Sequence, residues 1–287
     1  MTAARPRRSA LYLPAANSRA MEKARTLPAD VVILDLEDSV SPDAKGEARV
    51  AAVAAVRAGG FGPRELVIRV NGLDTPWGGD DLAAAAAAGA DAVLVPKISS
   101  PAALAPYAAA LSGGARLWAM IETCAAVLAL DDLGRASAAN KVDVWVMGAN
   151  DLVKEMRCRP GADRGPLAPA LAMSVMAARA HGLSILDGVY NDIQDLDGLE
   201  RECVQGADLG FDGKSLIHPS HLAAANRAFS PDPGELAWAR TVAEAFATPE
   251  NAGQGVIRVE GRMVERLHLE QARRLIAVAD AIAAYGG

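Results

Sequence analysis

The sequence predicts an α/β protein built on a (β/α)8 TIM barrel, followed by a C-terminal helical lid segment. Three observations point there. Short apolar, β-branched runs alternate with Ala-rich helical runs over most of the chain, the signature of βαβ units and a parallel sheet. The strand candidates are apolar almost throughout, as expected when both sheet faces are covered. The length, 287 residues, holds one barrel of roughly 250 residues with an appendage. Eight units suit a closed barrel better than an open doubly wound sheet.

The strand candidates are Ala10–Pro14, Val31–Leu36, Leu66–Val70, Ala92–Pro96, Leu117–Ile121, Val142–Met147, Ser184–Leu186 and Leu209–Phe211. Arg5, Arg7 and Arg8 before the first of these imitate a secretion signal, but the apolar run is too short and contains Pro14. Helices are expected near Arg19–Thr26, Pro42–Ala58, Trp77–Ala88, Pro101–Leu111, Ala125–Ser137, Pro166–His181 and Leu196–Gln205, with another from Pro219. The Ala-rich tracts are helix formers rather than low-complexity linkers. Residues 1–232 form the expected catalytic barrel and 233–287 the lid. Within the lid, helices are expected over Pro233–Ala247 and Gly261–Tyr285, joined by a mobile link from Thr248 to Val259 that carries Pro249, Gly253 and Gly255. Such a segment serves as a lid or as a helix packed on the barrel.

Composition narrows the function. Hydrophobic residues make up 51% and charged residues 22%, enough for a large core and unlike a disordered chain. With 29 Lys+Arg against 35 Asp+Glu, the net charge of −6 argues against nucleic acid as a partner. No apolar run reaches the roughly 18 residues of a membrane helix, so no membrane partner is expected. The three cysteines, Cys124, Cys158 and Cys203, form no C-x-x-C pair, and an odd count closes no disulfide framework. A reducing, cytoplasmic setting is expected.

Polar residues crowd the C-terminal ends of the strand candidates: Asp35, Glu37 and Asp38; Arg69 and Asn71; Lys97; Glu122; Asn150 and Asp151; Asp187; Lys214, with His218 beyond. In a barrel these ends share one mouth, where active sites are built. Glu37, Glu122 and Asp151, without a His or Cys cluster, suit a hard ion such as Mg²⁺, which takes one or two carboxylates and several waters. Taken singly, each carboxylate also suits a helix cap or a partner for Arg69 or Lys97. His218 and His221, in H-P-S-H, lack the further ligands that zinc requires. His181 and His268 read as helix-surface residues. Cys124 has no adjacent His base. Neither a Walker loop nor G-x-G-x-x-G is present.

Six strings occur in order: V-I-L-D-L-E-D-S-V (32–40), I-R-V-N-G-L-D-T (68–75), V-P-K (95–97), A-M-I-E-T (119–123), G-A-N-D-L (148–152) and G-F-D-G-K-S-L-I-H-P (210–219). Together they resemble the citrate lyase β-subunit-like branch of the HpcH/HpaI aldolase superfamily, over nearly the whole chain. The resemblance implies a Mg²⁺-dependent barrel acting on CoA thioesters of hydroxy acids such as malyl-CoA, methylmalyl-CoA or citramalyl-CoA. It implies Glu122 and Asp151 as metal ligands; Glu37 is expected to reach the ion through water, because Mg²⁺ sheds its hydration reluctantly. It further implies Arg69 at the thioester carbonyl, Tyr12 and Lys23 along the CoA, and Asn150, Ile217 and His218 at the substrate. It also implies a homotrimer or larger assembly with lid exchange between subunits.

On this resemblance, carbon–carbon cleavage is the first expectation. The alternatives are an (S)-malyl-CoA thioesterase on the same scaffold, or a citrate lyase-type subunit working with an acyl carrier protein. Two departures bear on the choice. Where family lyases place a lid Asp, the string G-R-M-V-E-R-L-H (261–268) carries Glu265, a candidate acid/base or water-directing group. Where the family commonly has P-G followed by Arg, this chain has P-A-A-N-S-R (14–19), with Asn17 in the Arg position. The strings around 148, 186 and 260 resemble the thioesterase branch more than the lyases.

Overall fold

A computed structural model describes residues 5–111, 113–251 and 253–285. Eight parallel strands close on themselves in chain order: β1 (Ser9–Pro14), β2 (Val31–Asp35), β3 (Glu65–Arg69), β4 (Ala92–Val95), β5 (Arg116–Ile121), β6 (Val142–Met147), β7 (Ser184–Asp187) and β8 (Gly213–Leu216). β1 pairs with both β2 and β8, so no sheet edge is left open.

The apolar strands split by the two-residue period of a pleated sheet. Tyr12, Ile33, Val67, Leu94, Trp118, Val144 and Leu186 belong to one buried cluster that fills the barrel. Their strand neighbours, among them Leu11, Leu34, Ile68, Val93 and Ile121, belong to a second cluster that also takes in helix residues. That shell is α1 (Ser18–Ala24), α2 (Lys45–Ala58), α3 (Gly78–Ala88), α4 (Leu104–Ala110), α5 (Cys124–Leu128), α6 (Leu130–Ala139), α7 (Ala149–Met156), α8 (Ala168–Ala180), α9 (Leu196–Leu209) and α10 (Leu222–Ala228). Asn17 is the N-cap of α1, its Oδ1 accepting from the Ala20 N–H at 3.0 Å, which gives this departure from the family string a local structural role.

Residues Arg7–Phe229 form one compact unit, and a second is built from Ser230 onward. In the second, α11 (Pro233–Ala247), the hairpin β9 (Val256–Val259) and β10 (Arg262–Glu265), and α12 (Arg266–Ala284) share a small core of Val242, Phe246, Ile257, Val259, Val264 and Leu269.

Four expectations require correction. The last barrel strand is Gly213–Leu216, whereas Leu209 closes α9. The strand is hidden in sequence because Lys214 and Ser215 stand in it, both buried. α7 was not expected; it follows Gly148 at once, so Asn150 and Asp151 lie in its first turn. The expected helix over 125–137 is interrupted at Ala129 into α5 and α6. The expected helix from Gly261 begins at Arg266, because Val256–Glu265 is a hairpin. Glu260 and Gly261 turn it with φ of +47° and +80°, the left-handed pair that matches strand twist.

Candidate active site

Strand register assembles the mouth of the barrel. Pro14 pairs with Asp35, and Asp35 with Arg69, so the ends of β1, β2 and β3 meet at one level. The Arg69 Nε and Nη2 donate to the two Asp35 carboxylate oxygens at 2.7 and 2.8 Å, a bidentate fork. Its Nη1 approaches Glu37 Oε2 at 2.8 Å. The guanidinium lies 4.7 Å from the Tyr12 ring centroid, within cation–π range. The Tyr12 hydroxyl beneath it is buried without a hydrogen-bond partner among the described residues.

Asp35 and Glu37 share one guanidinium but respond oppositely. Burial works against both anions. At Asp35 it is outweighed by Arg69, helped by the N–H groups of Glu37 at 2.9 Å and Ser39 at 3.1 Å, and the carboxyl is held below its usual range. Glu37 has no aligned hydrogen bond on Oε2, and burial pushes it up to about 7.

Glu122, at the end of β5, is 2% exposed. Its Oε1 accepts the Lys97 backbone N–H at 2.6 Å. Burial, with Glu37 and Asp151 adding negative charge, raises it to about 7. Gly148 makes room for this side chain: a Cβ there would collide with Glu122 Cβ and Oε2. Asp151 sits half-buried in the first turn of α7, where the helix dipole favours an anion. Lys97, with φ of +52°, brings its ammonium to 3.6 Å from Glu37 Oε1.

The structure therefore brings together Tyr12, Glu37, Arg69 and Glu122, with Asp151 in electrostatic reach of Glu122. Asn150, in the first turn of α7, and Asn191, in the loop after β7, exchange amide hydrogen bonds at 3.0 and 2.7 Å. Ile217 is exposed, and His218 Nδ1 accepts from the Ser220 N–H at 3.2 Å. Lys23 is exposed on α1, and its carbonyl accepts from the Thr26 hydroxyl. Glu265 belongs to the second unit and is the N-cap of α12, in a capping box with His268. His268 is exposed on α12, as expected, and its Nδ1 also accepts from the Glu265 N–H at 2.9 Å.

Two groups escaped the sequence reading of the site. Asp35 was noted at a strand end without a role. On β8, the Lys214 ammonium is 0% exposed and reaches Asp187 at 3.0 Å and Glu202 of α9 at 2.7 Å. Arg164 meets the other side of Asp187 at 2.8 and 2.9 Å. Arg164 lies between α7 and α8 with φ of +53°, and no spacing in the sequence ties it to β7.

The HpcH/HpaI aldolase/citrate lyase family model matches residues 8–219, the greater part of the chain. The chain belongs to this family. Among HpcH/HpaI relatives, a (3S)-malyl-CoA thioesterase of Cereibacter sphaeroides (strain KD131 / KCTC 12085) is 47% identical over 282 residues, 98% of either chain. An L-malyl-CoA/beta-methylmalyl-CoA lyase of Cereibacter sphaeroides (strain ATCC 17025 / ATH 2.4.3) is 31% identical over 310 residues, 98% of this chain and 97% of that one. A crystal structure of CitE from Mycobacterium tuberculosis, in complex with magnesium, acetoacetate and coenzyme A, superposes with a TM-score of 0.77 at 30% identity. It covers 98% of this chain and 100% of the other. These HpcH/HpaI relatives are enzymes, and so is this chain. No helix among the described residues is long and apolar enough to cross a membrane.

Proposed function

We propose that this chain is a Mg²⁺-dependent hydrolase of a hydroxyacyl-CoA thioester, of the (3S)-malyl-CoA class. The observation that carries the reading is the 47% identity, end to end, with a (3S)-malyl-CoA thioesterase. The 31% identity with a malyl-CoA lyase supports carbon–carbon cleavage less strongly, so hydrolysis displaces cleavage as the first reading.

The donor set fits the ion. Among the described residues no group of three or more His, Cys, Asp or Glu forms a complete metal cage. Glu122 and Asp151 offer hard oxygens, and burial with Glu37 and Asp151 nearby disfavours the Glu122 anion until a cation joins it. That is the partial site Mg²⁺ takes, leaving positions for water and substrate. Glu122 and Asp151 would hold the ion, with Glu37 as the carboxylate behind them, and the ion would supply Lewis acidity and orientation at the acyl group.

The rest falls to the protein. Arg69 presents a fixed positive charge where the thioester carbonyl oxygen turns negative during attack by water. Asp35 holds that guanidinium by two bonds, so little reorganisation is needed when charge develops. Asn150, Ile217 and His218 border the acyl group in this reading, and Tyr12 and Lys23 contact the CoA. Glu265 is assigned to directing the water, on its place in the string 261–268. A trimer or larger assembly belongs to the same proposal; light scattering that returns a monomer overturns it.

The test is a product analysis with Mg²⁺ and (3S)-malyl-CoA, assaying free thiol, malate, glyoxylate and acetyl-CoA separately. Malate and thiol in equal amounts, without glyoxylate, are expected. Glyoxylate with acetyl-CoA would return the reading to the lyase.

A further inference from the structure

Lys45 opens α2, on the outer side of the strands, where a lysine is ordinarily solvated. It is instead 5% exposed. Its ammonium donates to the Leu36 carbonyl at 2.9 Å and to the Glu37 carbonyl at 2.8 Å, and it lies 5.2 Å from the Trp77 ring. A buried ammonium spent on two backbone carbonyls is an unusual investment, because charge is costly to desolvate unless it is well bonded.

The choice of carbonyls explains it. Peptide groups are planar, so the backbone at one residue has only φ and ψ to vary. The Leu36 and Glu37 carbonyls belong to the two peptide planes that meet at the Glu37 Cα. One ammonium bonded to both fixes φ and ψ of Glu37 together, and with them the direction of its side chain. The surroundings reinforce this grip. Asn71 Nδ2 donates to the same Leu36 carbonyl at 2.8 Å, and Asp81 accepts from Asn71 and from Arg49. From the other side, the Asp35 carboxylate accepts the N–H groups of Glu37 and Ser39. The turn over 35–39 is held through its carbonyls from one side and through its amides from the other. The side chain so aimed is Glu37, 2.8 Å from Arg69.

We propose that Lys45 is a positioning residue for the active site, setting the Glu37 carboxylate against Arg69. The kinetic consequence rests on the hydroxyacyl-CoA reading above; the geometric one does not. A misplacement of about 1 Å at a catalytic centre costs on the order of 100-fold in rate.

The experiment pairs crystallography with a mutant cycle. In Lys45→Met the Glu37 carboxylate is expected to leave its contact with Arg69, while the barrel is unchanged. On (3S)-malyl-CoA, kcat/KM should fall about 10- to 100-fold, mostly in kcat. In a Glu37→Gln background the same substitution should add less than about twofold, because the group it positions is already gone. Lys45→Gln, read in the same way, serves if Lys45→Met does not fold. Glu37 unmoved in the crystal, or a full multiplicative loss in the Glu37→Gln background, overturns the proposal. A wild-type protein inert toward CoA thioesters would remove the proposed function, and the crystal comparison would still decide Lys45.

Discussion

Arg69→Met deletes the guanidinium that two buried carboxylates share, and its cost follows from their burial. The Arg69 side chain is 10% exposed and that of Asp35 is 1% exposed, so little solvent is at hand to replace the lost partner. Removing one member of such a pair leaves an unpaired buried charge and costs about 3–5 kcal/mol. At about 2–4 °C per kcal/mol for a domain of this size, Tm should fall by roughly 6–20 °C at pH 7.5. The loss should depend on pH. In the wild type, Asp35 is held below its unfolded value of about 3.9. Its contribution is complete above that value and is lost as pH falls through the lower native one. In the variant, burial without Arg69 raises Asp35 above its unfolded value, so the variant loses stability as pH climbs past about 4. The gap between the two proteins should therefore be widest near pH 7.5 and narrow toward pH 4 as the variant's penalty is relieved, the wild-type part remaining until pH falls below about 4. Urea denaturation followed by circular dichroism at pH 4, 5.5 and 7.5 measures it. A gap below about 1 kcal/mol at pH 7.5, or one that ignores pH, refutes the account of Arg69 as a buried, doubly held charge.

Further predictions concern the ion, the buried charge network and the second unit. Gly148→Ala places a methyl against Glu122; calorimetric Mg²⁺ titration should show affinity lowered about 10- to 100-fold with the fold retained, and unchanged affinity removes Glu122 from the ion. Asp187→Asn leaves Lys214 and Arg164 short of their shared anion, which should cost about 3–5 kcal/mol at neutral pH. Burial opposes the Asp187 charge, but Lys214 and Arg164 hold its pKa down. Its contribution begins to fall below the unfolded value and is gone only below the lower native one, so this gap should narrow as the solution is acidified past about pH 4; a gap that stays constant from about pH 5 down to about pH 2 speaks against the pairing. Glu265→Ala removes the N-cap of α12, with an expected cost of about 1 kcal/mol; if thiol release also drops sharply, Glu265 joins the chemistry, and normal hydrolysis would confine it to capping.

The barrel was legible because its strands advertise themselves. Val31–Asp35 and Leu117–Ile121 are apolar runs that only a doubly covered parallel strand explains, and the residues that follow them, Glu37 and Glu122, had to reach one rim. The strand that escaped was Gly213–Leu216, since a strand holding Lys214 reads as a loop until Asp187 and Glu202 are seen around its ammonium. The hairpin of the second unit was overlooked for a related reason. Val256–Val259 alternates exposed and buried residues over only four positions, too short to outweigh the helical pattern beyond it.

The sequence by itself determined the parallel closed barrel, the family and the residue types at the mouth, because hydrophobic period and ordered motifs are local properties of the chain. Tertiary structure decided what each of those residues does. Asp35 and Glu37 are two positions apart and similarly buried, yet one is held ionised by a bidentate guanidinium and the other is pushed up to about 7. That difference arises from hydrogen-bond alignment with Arg69, some thirty residues along the chain. Nothing in the sequence singles out Lys45, and it becomes a clamp only because α2 folds back over the turn that carries Glu37. Charges acquire their energies from partners distant in the chain, which composition and spacing do not encode.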